Sequence, residues 1–268
     1  MNDGEDISAR DELPLWSAPF GLALLEAVAL RPGLRVLDVG FGTGFPALEL
    51  AERLGAGARV VGVDPSRAGA LRARAKARAY GDPPVVFVSG VAERLPVRSA
   101  TVDLVVSNNG FNNVARLDEA LAECRRVCRE GAQLVLTMNL AETMRLLYDE
   151  LAGALEECGL ASSLPALEAH IRQKRPPLAE VRAALEEAGF VVTGESRHSF
   201  SLRFADGRAL LGHHLIRTGF LPAWRAVPPP ARAEAVLARL GQRLERVAAE
   251  RGELRLEVPF ACLDCRAR

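Results

Sequence analysis

Neither sign of charge is in excess: 34 Lys plus Arg stand against 34 Asp plus Glu. No global field therefore draws the chain to nucleic acid or to an acidic membrane surface. Aromatic residues make up only 5% of the chain, and no basic, aromatic-studded run forms the stacking platform of a single-strand binder. No apolar run reaches membrane-spanning length and no leader pattern opens the chain, which points to a soluble, cytoplasmic protein with no membrane partner. The five cysteines are odd in number and suit reduced thiols rather than a disulfide framework. Cys124 and Cys128 lie one helical turn apart, and Cys262-x-x-Cys265 sits near the end of the chain. Neither pair has the further His or Cys partners that a metal site needs, so core or incidental thiols are expected and no metal. At 268 residues the chain can bury a full core as one generous domain, or as one domain with a substantial cap.

The organising stretch is Arg35-Val36-Leu37-Asp38-Val39-Gly40-Phe41-Gly42-Thr43-Gly44-Phe45. A run of strand formers after Pro32-Gly33 stops in glycines spaced by two. Ala47, Leu48, Leu50, Ala51 and Leu54 then recur at helical spacing. Strand, glycine turn, helix is the opening of a parallel βαβ unit. Glycines let backbone approach a ligand where a Cβ would clash, and the helix start offers unpaired N–H groups. A dinucleotide turn would place its third glycine where Phe45 stands, and no Gly-Lys-Ser/Thr follows for a phosphate loop. The pattern is Asp38-x-Gly40-x-Gly42-x-Gly44. A second strand, Arg59 to Val63, ends in Asp64, where a carboxylate can accept both hydroxyls of a ribose.

Further strands read as Val85 to Val88, Thr101 to Ser107 and Ala132 to Met138. Between them lie helices over Pro65 to Tyr80, with Ser66 as N-cap, and over Arg116 to Glu130, closed by Gly131. The loop Ser89-Gly90-Val91-Ala92-Glu93-Arg94-Leu95-Pro96-Val97 follows the third strand. The fourth ends in Ser107-Asn108-Asn109-Gly110-Phe111-Asn112-Asn113, at the edge where open α/β sheets bind ligands.

Over roughly Gly33 to Met138 these residues resemble the class I S-adenosylmethionine-dependent methyltransferases, in their small-molecule branch (ubiquinone/menaquinone-biosynthesis-like, methyltransferase type 11). The Ser89–Val97 loop resembles that branch's Gly-Asp-Ala-Glu-x-Leu-Pro-Phe segment beside the adenine, and Arg126 to Ala132 its Arg-Val-Leu-Lys-Pro-Gly-Gly. Val91 departs from it, standing where the branch carries an Asp. The resemblance implies an α/β, Rossmann-like, seven-stranded, mostly parallel sheet with helices on both faces and an antiparallel last strand. It implies S-adenosyl-L-methionine as cofactor, held by Asp38, Gly40, Gly42, Thr43, Gly44, Asp64, Pro65, Val91, Ala92, Glu93 and Asn108. Asn109, Phe111 and Asn112 would border the acceptor, with Trp16 and Phe20 of a leading helix, Leu13 to Leu30, as lid residues.

Beyond the fifth strand, helices are expected over Asn139–Cys158, Pro165–Gln173 and Pro177–Ala188, then a strand from Phe190 to about Ser201. Leu202–Gly219 and Pro229–Arg251 read as helical, and Glu253 to Phe260 alternates charged and apolar residues like an antiparallel strand. About fifty residues between these last strands exceed a hairpin, so a helical cap is expected over the substrate side. The division anticipated is a lid over 1–32, a core of 33–201 and 252–268, and a cap over 202–251. His213 and His214 lie in the cap segment and are the catalytic candidates; on a continuous helix only one would face a pocket.

Methyl transfer from a sulfonium needs alignment and exclusion of water, and a base only where the nucleophile must lose a proton. The leading reading is a methyltransferase acting on O, N or C of a small organic acceptor by in-line displacement. The alternatives are a regulatory or scaffolding module that binds the cofactor without turnover, and a nicotinamide oxidoreductase, which Phe45 disfavours. Oligomeric state is left open.

Overall fold

The computed structural model describes residues 15–81 and 83–268. The polar stretch Met1 to Glu12 and the expected helix start at Leu13 lie outside them. The strands are β1 (Arg35–Val39), β2 (Arg59–Asp64), β3 (Val85–Ser89), β4 (Val102–Asn108), β5 (Cys128–Asn139), β6 (Phe190–Phe204) and β7 (Leu254–Ala267). The helices are α1 (Ser17–Ala27), α2 (Ala47–Leu54), α3 (Arg67–Ala79), α4 (Leu117–Val127), α5 (Arg145–Glu157), α6 (Leu164–Lys174), α7 (Leu178–Glu187), α8 (Gly207–Gly212), α9 (His214–Gly219), α10 (Leu221–Arg225) and α11 (Ala233–Arg251). None of them is long and apolar enough to cross a membrane, among the described residues.

The strands form one seven-stranded sheet in the order β3-β2-β1-β4-β5-β7-β6. Pairing is parallel from β3 across to β5, and β7 runs antiparallel to β5 with Leu134 opposite Cys265. The expected architecture is present, including the antiparallel last strand between the fifth and sixth.

Two compact units divide the chain. The first contains the described residues up to Asn139, with Pro177–His198 and Phe260–Arg268. Its strand residues alternate between two cores, as a period of two requires. Val36, Leu104, Val106, Val135 and Cys262 pack with α1, α2 and α3. Leu37, Val39, Val105, Leu134, Leu263 and Cys265 pack with α4 and α7. Cys262 and Cys265, three apart in β7, therefore occupy opposite faces, and burial pushes both thiols up to about 12. Ser66 caps α3 as expected, its Oγ accepting the Gly69 N–H at 3.0 Å.

Helix α4 stops at Val127, three residues earlier than expected. The carbonyls of Arg126 and Val127 accept from the N–H groups of Ala100 and Thr101, at 3.0 and 2.9 Å, which diverts them from the helix. Gly131, with φ +73°, lies within β5, where the register against β4 shifts.

The second unit, Leu140–Pro176 with Ser199–Pro259, is larger than the expected cap because α5 and α6 belong to it. Leu147, Leu151 and Leu155 make α5 amphipathic, and α11 answers with Leu240, Leu244 and Val247. The Arg243 guanidinium lies over Gly153, where a Cβ would come within 2.4 Å of it, and Nε pairs with Glu150 at 2.8 Å. The helix expected from Asn139 begins only at Arg145, since the N–H groups of Leu140 and Met144 donate to Pro259 and Glu257 of β7. The helical reading of Leu202–Gly219 also fails at its start: β6 continues through Phe204, and Asp206 then caps α8 by accepting the Ala209 N–H at 2.7 Å.

Candidate functional site

The turn after β1 is held from two sides. The Gly40 N–H donates to Val63 O at 2.8 Å, and the Gly42 N–H donates to Asp64 Oδ2 at 2.9 Å. Asp64 Oδ1 accepts the Ser66 N–H at 2.7 Å, so this carboxylate ties the glycine turn to the start of α3. Asp64 is only 8% exposed, because the turn folds onto it. Gly44 has φ +105°, a region that side-chain-bearing residues rarely enter. Thr43 completes the turn, and Pro65 links Asp64 to the cap residue Ser66.

Asp38 is wholly buried beneath this turn. Its Oδ2 accepts the Ala47 N–H at the start of α2, at 3.1 Å, while Oδ1 has no hydrogen-bond partner among the described residues. Burial, then the nearby Asp64 charge, raises its pKa to about 8 against the opposing pull of the Ala47 N–H. A buried carboxylate oxygen without a donor is costly unless something fills the gap. Asp38 and Asp64 together favour a positively charged partner there.

Asparagines crowd the carboxyl ends of β4 and β5. Asn108, a cofactor candidate, has both amide ends occupied: Nδ2 donates to Ser17 O at 3.1 Å, and Oδ1 accepts from Thr137 Oγ1 at 3.2 Å. It fastens α1 to the sheet. The Asn109 N–H donates to Thr137, and its Oδ1 is buried with no hydrogen-bond partner among the described residues. Asn139, which the sequence reading passed over, presents a second such oxygen at the end of β5. The rule that ligands bind at strand carboxyl ends was the available signal. Asn112 is 4% exposed.

Two expected acceptor-facing aromatics are core residues. Phe111 is buried in the cluster with Leu121 and Leu136, because the 3-10 turn Phe111–Asn113 directs it inward. Phe20 is buried with its ring 4.4 Å from Phe260 and 5.5 Å from half-buried Trp16. In the loop after β3, Val91 is 47% exposed, whereas Ala92 is buried. Glu93 is committed to structure, its Oε1 accepting from the N–H groups of Ala115 and Arg116 at 2.8 and 3.2 Å. Burial works to raise its pKa, but these and its own backbone N–H prevail and hold it below the usual carboxylate range.

In the second unit, His213 separates α8 from α9 with extended ψ, so the two histidines do not share one helix as expected. His213 meets Phe204 edge-on at 5.3 Å. Nδ1 of His213 and Nε2 of His214 are both buried with no hydrogen-bond partner among the described residues.

A family described as a methyltransferase domain matches residues 37–136, from β1 to β5. The chain is 32% identical over 192 residues to the ubiquinone/menaquinone biosynthesis C-methyltransferase UbiE of Brucella anthropi, covering 68% of this chain and 69% of that one. It is 39% identical over 114 residues to the demethylmenaquinone methyltransferase of Beutenbergia cavernae, covering 42% and 44%. The chain spans about half the length of several curated relatives it matches, 44% and 52% in two of them. The solved structure of YcgJ from Bacillus subtilis shares the fold, with a TM-score of 0.58 at 17% identity over 93% of this chain and 97% of that one. The chain belongs to the class I S-adenosylmethionine-dependent methyltransferases, in their small-molecule branch.

Proposed function

We propose that the protein transfers a methyl group from S-adenosylmethionine to O, N or C of a small organic acceptor by in-line displacement. The observation that carries this reading is the glycine turn bound to Asp64 above the partnerless Oδ1 of Asp38. That arrangement fits the cofactor of the family: glycines where backbone meets ligand, one carboxylate at the end of β2, and a buried carboxylate for a cationic group. Asp38, Gly40, Gly42, Thr43, Gly44, Asp64 and Pro65 would hold it, with Val91 and Ala92 beside the base.

When bound, S-adenosylmethionine supplies a methyl group already activated on a sulfonium. The protein has to orient the acceptor and exclude water. Asn109 and Asn139, each with a buried acceptor oxygen to spare, are suited to orienting polar groups at the carboxyl ends of β4 and β5. Where the acceptor must lose a proton, His214 is our candidate base, since its Nε2 has no hydrogen-bond partner among the described residues. Acceptor selectivity then belongs to the second unit, which carries both histidines. The balanced charge of 34 against 34 offers no global field to draw nucleic acid, in keeping with a small-molecule acceptor.

The test is product formation from labelled S-adenosylmethionine across quinol, phenol, amine and carboxylate acceptors. Turnover with one class supports the proposal. Tight cofactor binding with no turnover across the panel would favour the binding-module alternative.

A further inference from the structure

Two central strands of the first unit end in amides whose oxygens are left over. β4 and β5 pair in parallel as far as Asn108 opposite Thr137, and Asn109 stands one residue past that pair, Asn139 two. Asn109 has φ +57°, in the left-handed region that asparagine enters more readily than most side chains. Its N–H holds it there, donating to both O and Oγ1 of Thr137, at 3.1 and 3.0 Å. Asn109 is 8% exposed and Asn139 6%, and neither Oδ1 has a hydrogen-bond partner among the described residues. Asn108 shows the contrast: with Nδ2 on Ser17 O and Oδ1 on Thr137 Oγ1, it is satisfied at both ends and serves the fold. Gly110, next after Asn109, abuts the glycine turn, its Cα 3.2 Å from where a Cβ on Gly40 would stand. Both amides and the turn belong to the first unit.

A buried amide oxygen without a donor costs free energy, and only a ligand that brings a donor recovers it. A carboxylate, phenolate or carbanion acceptor has no proton to give, and sets its charge against the negative ends of two dipoles. An amine is complementary, since its N–H groups suit the oxygens and its lone pair stays free. On methyl transfer the N–C bond forms from that lone pair, and the C–S bond breaks with its electrons going to sulfur. The nitrogen becomes positive as this happens, so its hydrogen bonds to the carbonyl oxygens strengthen. Such oxygens therefore favour the transition state over the ground state. The nitrogen gives its extra proton to water after the methyl has arrived, so no base has to act before the attack.

We propose that Asn109 and Asn139 bind the acceptor through its N–H groups, and that this acceptor is an amine methylated on nitrogen. The proposal rests on the methyl-transfer reading and narrows it, from O, N or C of a small molecule to N. Asn109 and Asn139 act as binding and specificity residues, and Thr137 holds Asn109 in place.

The test pairs aniline, benzylamine and hexylamine with phenol, benzyl alcohol and hexanol. Each compound is titrated calorimetrically into the full chain saturated with S-adenosylhomocysteine, and each is offered with S-adenosylmethionine for product analysis. At least one amine is expected to gain a methyl on nitrogen and to bind about tenfold tighter than its alcohol. Aniline is uncharged at neutral pH, so its preference over phenol reports the N–H groups rather than a cation. Asn109→Gly removes the amide and still fits φ +57°, and should lower kcat about tenfold or more with a smaller change in KM. Asn139→Ala should do the same, and Asn109→Asp, which keeps an acceptor oxygen, should recover part. Equal binding of amine and alcohol in all three pairs, methylation of the alcohols in preference to the amines, or an amine preference unchanged in both Asn109→Gly and Asn139→Ala would overturn the proposal. Should no compound be turned over or a variant fail to fold, the binding comparison in the native chain decides. If S-adenosylhomocysteine binds and no amine is preferred, this proposal alone fails; if it does not bind, the methyl-transfer reading fails with it.

Discussion

Asp64 Oδ2 accepts the Gly42 N–H at 2.9 Å, so the carboxylate expected to receive ligand also holds the turn that surrounds the ligand. Asp64→Ala should therefore lower stability even without cofactor. It strands the N–H groups of Gly42 and Ser66 in a mostly buried setting, at a cost of about 1–3 kcal/mol. Asp64→Asn, which can keep one acceptor oxygen, should lose less. Urea unfolding of the ligand-free proteins measures both, and native-like stability in Asp64→Ala would show that the turn does not depend on this contact.

Asp38 gives a pH dependence with a definite sign. Its ordinary value is 3.8 and its folded value about 8, raised by burial and then by Asp64. Between these values the folded chain keeps a proton that the unfolded chain has released. Ligand-free stability should thus fall as pH rises through that window and level off above it. Asp38→Asn should remove this contribution, raising stability at pH 8 relative to the native chain while weakening S-adenosylhomocysteine by about tenfold or more. Thermal unfolding from pH 5 to pH 9 checks the slope. Identical slopes in both proteins would contradict it.

Gly110 lies where β4 meets the turn after β1. A Cβ there would come within 2.7 Å of both Val39 O and Ser107 Oγ, which are themselves joined by a 2.8 Å hydrogen bond. Gly110→Ala should force these strand ends apart and cost about 1–3 kcal/mol. It should also reduce cofactor affinity, since Gly40 lies against Gly110. Unchanged unfolding midpoint and affinity would mean that the strand ends yield freely.

His214→Ala and His214→Gln separate two roles. If Nε2 takes a proton, Gln should fail as fully as Ala; if it only donates a hydrogen bond, Gln should partly rescue. In either case turnover should fall while S-adenosylhomocysteine affinity stays within about twofold. Normal turnover in both variants would remove His214 from the chemistry.

The first half of the sheet was legible because the pattern changes over a few residues: Val36 to Val39 form a run of strand formers, the glycines interrupt, and Leu48 to Leu54 recur helically. The turn position and Asp64 followed from spacing, but the tie between Asp64 and Gly42 did not, since spacing carries no distance. The last strand was read only to Phe260, because Ala261, Cys262 and Leu263 are buried on both faces of β7 and lose the charged-apolar alternation. Helix α5 was assigned to the core since an amphipathic stripe shows that a helix is buried on one face, not against what. Phe111 was illegible for a related reason. A phenylalanine beside asparagines reads as ligand-facing, and only tertiary packing turns it into the core.

The most direct measurement is calorimetric titration of S-adenosylhomocysteine into the native chain and into folded Asp64→Ala, with NAD as the control ligand. One-to-one binding to the native chain is expected, with no heat from NAD. The variant should bind about ten- to hundredfold more weakly, the loss of charge-assisted hydrogen bonds. Absence of binding to the native chain, or equal affinity in the two proteins, would contradict a cofactor site built on the glycine turn and Asp64.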